Sequence, residues 1–136
     1  MIGRGLFLAS ALTGVALAAP AGAQDEGPAS FTQAQADRGA ETYAANCSLC
    51  HGAKLNDGEF GPPLNGARFK RLWGGNSAAG LFLYLSASMP PSRTGTLRPE
   101  DYADLMALLF RANGAMPGEK PLPASADGLS GLTVPK

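Results

Sequence analysis

The sequence predicts a small all-α domain, and three observations carry that reading. Three stretches repeat apolar residues three and four positions apart, the spacing of a buried helix face. Residues that start or stop helices flank these stretches. The long connection over residues 52–76 is too Gly-rich and broken for regular structure, which leaves the helices as the framework.

Taken in order, residues 24–30 carry Gly and Pro and read as a loose lead-in. Thr32 is a good N-cap for a first helix running to Asn46, with Ala36, Gly39, Ala40 and Tyr43 on one face. Its small residues permit the close approach of another helix. A middle helix from Ser77 to Ser88 carries Leu81, Phe82, Tyr84 and Leu85. The terminal helix, Pro99 to Ala112, presents Tyr102, Leu105, Met106 and Leu109, and it should dock near Gly39 and Tyr43. Arg98 stands where Ser, Thr or Asp is the usual N-cap, but Pro99 suits the first position, and Glu100 and Asp101 suit the helix dipole. Asn113-Gly114 stops the helix. Residues 117–136, with Pro117, Pro121, Pro123 and Pro135, read equally as an extended strap or a mobile tail.

Arg4 is the one charge before Asp25; an apolar run from Leu6 to Ala19 follows it, then Ala21-Gly22-Ala23, a small-x-small site. That is the pattern of a secretory signal peptide over residues 1–23, cut after Ala23. The run falls short of the about 20 residues that span a bilayer comfortably, and no cysteine beside the cut carries a lipid. The expectation is an exported protein with no membrane span in its mature form, with one domain over residues 24–116. Losing Arg4 leaves ten Lys and Arg against eleven Asp and Glu. With no polybasic run and no alternation of basic and aromatic residues, nucleic acid is not an expected partner.

The chemistry concentrates in "NCSLCHG", which holds both cysteines, Cys47 and Cys50, and the single histidine, His51. A structural zinc site needs four ligands, and this chain offers three Cys and His in all. A thioredoxin-like dithiol follows a strand, whereas "TQAQADRGAETYAAN" reads as helix. Cys-x-x-Cys-His is the attachment signature of c-type haem. On a helical turn the three side chains share one face, so two thioethers can tether a porphyrin while the imidazole reaches its iron. The long connection then makes sense, because the haem supplies core that the loop wraps.

With His51 used, the second axial position falls to methionine, to lysine, or to water. Met106 lies on a core-facing helix stripe. Met89 precedes Pro90 and Pro91, which press it into a stiff, extended arm suited to holding a thioether. Met116 also precedes a proline and is the rival to Met89. Arg68, Lys70, Arg71 and Trp73 form a cluster with two readings: partners for haem propionates, Arg71 and Trp73 foremost, or a solvated face.

"RGAETYAANCSLCHG", "GPPLNG", "MPPSRTGTL" and "EDYADLMALLFRANGAMPGEKPL", in that order, cover nearly the whole exported chain and resemble the class I monohaem cytochromes c. Among these the likeness is to bacterial periplasmic cytochromes that accompany quinoprotein and related dehydrogenases. The resemblance implies three to five helices around one covalently bound haem. It implies that Cys47 and Cys50 carry the thioethers, that His51 and Met89 ligate iron, that the Pro62 carbonyl accepts a hydrogen bond from His51, and that Leu64 packs on the haem face. The implied function is one-electron transfer from a periplasmic dehydrogenase to an oxidase or another cytochrome. Two alternatives stand beside it: a fixed cytochrome subunit of a dehydrogenase complex, and a haem enzyme or gas sensor with an open sixth position.

Overall fold

The computed structural model describes Met1 and residues 26–136, so the expected leader lies outside the described residues. Among the described residues five helices build the fold: α1 (Gln33–Asn46), α2 (Ser48–His51), α3 (Ala67–Trp73), α4 (Ala78–Ser88) and α5 (Pro99–Ala112). The one sheet among them is a parallel pair of two-residue strands, β1 (Gly27–Pro28) and β2 (Leu132–Thr133). The fold is all-α, as the sequence predicts. None of the described helices is long and apolar enough to cross a membrane.

α1 starts in a capping box. The Thr32 hydroxyl accepts from the Gln35 backbone N–H at 3.2 Å, and the Gln35 side chain accepts from the Thr32 N–H at 3.2 Å. Its buried residues, Gln35, Ala36, Gly39 and Tyr43, make the face that meets α5. There a Cβ on Gly39 would collide with the Asp104 carbonyl and stand 3.1 Å from Leu108 Cβ. Only glycine lets the two backbones approach so closely. Ion pairs flank the crossing. Arg38 grips Asp104 with two bonds of 2.7 and 2.8 Å, and Arg111 reaches Asp37 at 2.6 Å. The Arg111 guanidinium lowers the Asp37 carboxyl below its usual range.

At its start α5 lacks a conventional cap. Asp101 reaches back instead, accepting from the Arg98 backbone N–H at 3.2 Å and from its guanidinium at 2.7 and 3.1 Å. From Tyr102 to Phe110 every residue is buried. α4 is capped by the Ser77 hydroxyl, which accepts from the Gly80 N–H at 3.1 Å.

Two segments differ from the expected picture. Residues 52–76 are not wholly irregular, because α3 forms inside them. Its charged residues mask a spaced set of Phe69, Leu72 and Trp73, and Phe69 is buried. The lead-in before α1 is held as well: Ala29 donates to the Thr133 carbonyl at 2.8 Å, and Phe31 is buried edge-on to Phe110 at 6.1 Å. Beyond Met116, Leu122, Leu129 and Val134 are buried. Gln35 exchanges two hydrogen bonds with the Leu122 backbone, at 2.8 and 3.0 Å.

Gly39→Ala should therefore cost about 1–3 kcal/mol by overpacking the crossing. Thermal unfolding followed by circular dichroism should show a midpoint lower by roughly 5–20 °C, while Glu41→Ala on the exposed side of α1 should leave it nearly unchanged.

Candidate functional site

α1 runs into α2 through Cys47, which ends the first helix and begins the second. The turn is tied by backbone bonds from Cys50 and His51 to the Cys47 carbonyl, at 3.1 and 3.0 Å. Cys47, Cys50 and His51 all face one large gap of about 730 Å3, walled also by α3, α4, the arm after α4 and α5. Protein interiors leave few voids larger than a water molecule. A gap of this size, bounded largely by Leu, Phe, Tyr, Trp and Pro, is a place for a large flat or bulky guest, within the size range of ligand sites.

His51 is buried, and its Nδ1 lies 2.8 Å from the Pro62 carbonyl. A carbonyl can only accept, so Nδ1 carries the proton, and in the neutral ring Nε2 is then the nitrogen with a lone pair to offer a metal. Gly61 makes this contact possible: a Cβ there would stand 2.5 Å from Nδ1 and 2.7 Å from Cε1 of His51. The Gly61 N–H also donates to the Cys50 carbonyl at 2.9 Å, pinning the loop onto the turn. Tyr43 adds a bond of 2.6 Å from its hydroxyl to the Gly52 carbonyl. Burial pushes the Tyr43 phenol up to about 12, with smaller contributions from Cys47 and Asp57. Burial likewise pushes the Cys47 thiol up to about 11, with Cys50 adding to it, so this sulfur is uncharged in the wall at neutral pH.

Across the gap's lining, Leu64, Trp73 and Met89 join the turn. Trp73 leans on Tyr84 with ring centroids 5.4 Å apart. Met89 ends α4 in extended backbone, φ −127° and ψ 143°, the conformation that the following Pro90 favours. Met116 is 84 % exposed and takes no part in the wall, and Met106 is sealed in the core. Arg71 is exposed and also lies outside the wall; Arg68, one turn earlier on α3, lines it instead.

Sequence reasoning missed three contributors. Asn113 is a buried clamp: its amide donates to the Leu64 and Leu109 carbonyls at 3.0 and 2.8 Å, and its oxygen accepts from the Gly66 N–H at 3.0 Å. It joins the loop before α3 to the end of α5. Gly61 was legible only as part of "GPP", and Tyr102 only as a core residue. Neither Asn113 nor Tyr102 has a local signal, because their partners lie far along the chain.

The donors fit a covalently held haem: two thiols and an imidazole on one turn, a thioether on a separate arm, and an apolar gap between the surrounding helices. Helices packed around such a gap, with Cys-x-x-Cys-His in its wall, are the arrangement of a cytochrome c. Residues 34–109 match the family described as cytochrome C oxidase, cbb3-type, subunit III, and the chain belongs to that family of cytochrome c domains. It is also similar to a cytochrome c-553-like protein of Synechocystis sp. (strain ATCC 27184 / PCC 6803 / Kazusa), with 34% identity over 74 residues. That match covers 54% of this chain and 66% of the relative's length. Membership implies a c-type haem, electron transfer and redox protein partners.

Gly61→Ala should push the His51 ring off the Pro62 carbonyl. In protein expressed with a haem-attachment system, the expected outcome is at least a several-fold fall in the haem-to-protein ratio, read from Soret absorbance against total protein.

Proposed function

We propose that the chain is a periplasmic one-electron carrier whose single haem is tethered through Cys47 and Cys50 and ligated by His51 and Met89. The observation that carries this reading is that one apolar gap gathers the two thiols, the imidazole and the Met89 arm, while Met106 and Met116 lie elsewhere. When bound, the haem supplies a reversible one-electron change at iron between the ferrous and ferric states. The chain's own residues supply the rest. The Pro62 carbonyl holds the Nδ1 proton of His51, which fixes ring orientation and raises the basicity of Nε2. The Met89 thioether would favour the ferrous state and raise the reduction potential. If His51 and Met89 both held the iron, side chains would take the places a substrate needs, which favours a carrier over an enzyme or gas sensor.

In this reading residues 1–23 direct export. A periplasmic dehydrogenase serves as donor, and an oxidase or another cytochrome as acceptor. The dehydrogenase rests on the likeness of the sequence motifs, whereas the family description supports an oxidase on the acceptor side. A second reading, a fixed subunit of an oxidoreductase complex, is favoured by Leu49 and Phe60, which are 85% and 78% exposed at the edge of the gap. A permanent complex would cover such apolar side chains. Co-purification of a partner through high salt would select this second reading.

The first test is the absorption spectrum of the oxidised, haem-loaded protein. It should show the weak far-red band of a methionine sulfur on ferric haem, lost in Met89→Ala and kept in Met116→Leu. Loss in Met116→Leu alone would reverse the assignment.

The formal charge near zero leads to one kinetic expectation. Stopped-flow electron transfer to an acceptor should change by less than about threefold between low and physiological ionic strength, since steering by net charge is weak.

A further inference from the structure

The arm that carries Met89 is poorly anchored by its own backbone. The Met89 N–H makes the last bond of α4, to the Leu85 carbonyl at 2.9 Å. Pro90 and Pro91 follow and have no N–H to donate. The bonds from Arg93 to the Pro90 carbonyl at 2.9 Å, and from Thr96 to the Arg93 carbonyl at 3.3 Å, shape the arm without fixing it to the body. Pro90 is buried and Leu97 packs on the core, but among the described residues two side-chain hydrogen bonds tie the arm to the body. Arg93 donates to Asn46 Oδ1 at 2.9 Å, but that bond is exposed and water competes for both groups. The other is the Tyr102 hydroxyl, which donates to the Met89 carbonyl at 3.1 Å.

Tyr102 is suited to this task. It sits in the first turn of α5, is 2% exposed, and meets Phe82 of α4 edge-on at 6.3 Å and 77°. Its ring is thus locked between the two helices that deliver and back the arm, and its hydroxyl has one direction to point. Both Tyr102 and Met89 line the gap. We infer that Tyr102 is a positioning residue that holds the Met89 carbonyl, and through it the thioether, in place against competing ligands. This rests on the reading of Met89 as the sixth ligand.

A net hydrogen bond of this kind changes an equilibrium by roughly three- to tenfold. The readout is the concentration of imidazole that displaces methionine, followed as loss of the far-red band in the oxidised haem-loaded protein. Tyr102→Phe removes one oxygen and keeps the ring on Phe82, so the helix pair remains, and far-ultraviolet circular dichroism should be unchanged. The expected result is a band still present without imidazole and a half-displacement concentration three- to tenfold below that of the unmutated protein. A merely structural role would move the urea midpoint and leave imidazole displacement where it was. If the unmutated protein shows the band and Tyr102→Phe is displaced at the same imidazole concentration, this proposal is overturned alone. If the unmutated protein lacks the band, the Met89 ligand reading falls, and the role of Tyr102 falls with it.

Discussion

The crossing of α1 and α5 at Gly39 is the constraint from which the rest of the structure follows. α1 ends at the Cys47 turn, and α5 carries Tyr102, Leu105 and Leu109 into the wall of the gap and Asn113 to its loop. Where these helices cross therefore fixes the distance between the Cys47 turn and the far wall. A backbone contact at Gly39 is less forgiving than side-chain packing, because a carbonyl and a Cα cannot change rotamer. Of the flanking pairs, Arg111 with Asp37 lies at the surface and adds little stability, whereas Arg38 satisfies the buried Asp104 carboxylate; both resist rotation about the contact point. Orientation is what the site needs from them.

With that frame set, the loop between α2 and α3 has to be held by means other than secondary structure. Polar groups do this, each satisfying a backbone group of the loop. Tyr43 takes the Gly52 carbonyl, Asp57 accepts from the Lys54 N–H at 2.8 Å, and Asn113 brackets Leu64 and Gly66. Among the described residues no buried side-chain nitrogen or oxygen lacks a partner. These bonds order the loop through the chain's own side chains.

How much of this was legible in the sequence depends on how local each signal is. α1, α4 and α5 announced themselves through caps and spaced apolar residues, with boundaries within one residue of those observed. α3 did not, since Arg68, Lys70 and Arg71 outnumber its buried anchor, Phe69. In the site, Cys47, Cys50 and His51 lie within one turn, and "GPPLNG" and "MPPS" have marked composition; Gly61 to Leu64 of the first and all of the second wall the gap, and Pro62 also bonds His51. Gln35, Tyr102 and Asn113 act on backbone groups 87, 13 and 47 or 49 residues away. A side chain whose partner is a distant carbonyl leaves no pattern, because any backbone could be that partner. Arg71 against Arg68 is a different case: the two lie on nearly the same side of α3, and position along the helix axis, which composition alone does not set, decides which arginine reaches the gap.

The C-terminal segment shows how so small a domain can leave a large gap among its helices. The helices give much of their apolar face to that gap, so α1 and α5 need packing elsewhere. Phe31, Phe110, Leu122, Leu129 and Val134 provide it, each buried side chain worth about 1.5–3 kcal/mol. The segment also closes the α3–α4 corner: the Val134 carbonyl accepts from Gly75, and its N–H reaches the Asn76 carbonyl, both at 2.8 Å. That corner lies directly between Trp73 and the cap of α4, the helix that ends at Met89. A segment whose sequence reads equally as a strap or a mobile tail is therefore a strap, mechanically continuous with the arm that carries the thioether. The chain is stabilised by two cores, one made of its own side chains and one reserved for the haem, and this segment joins the first to the wall of the second.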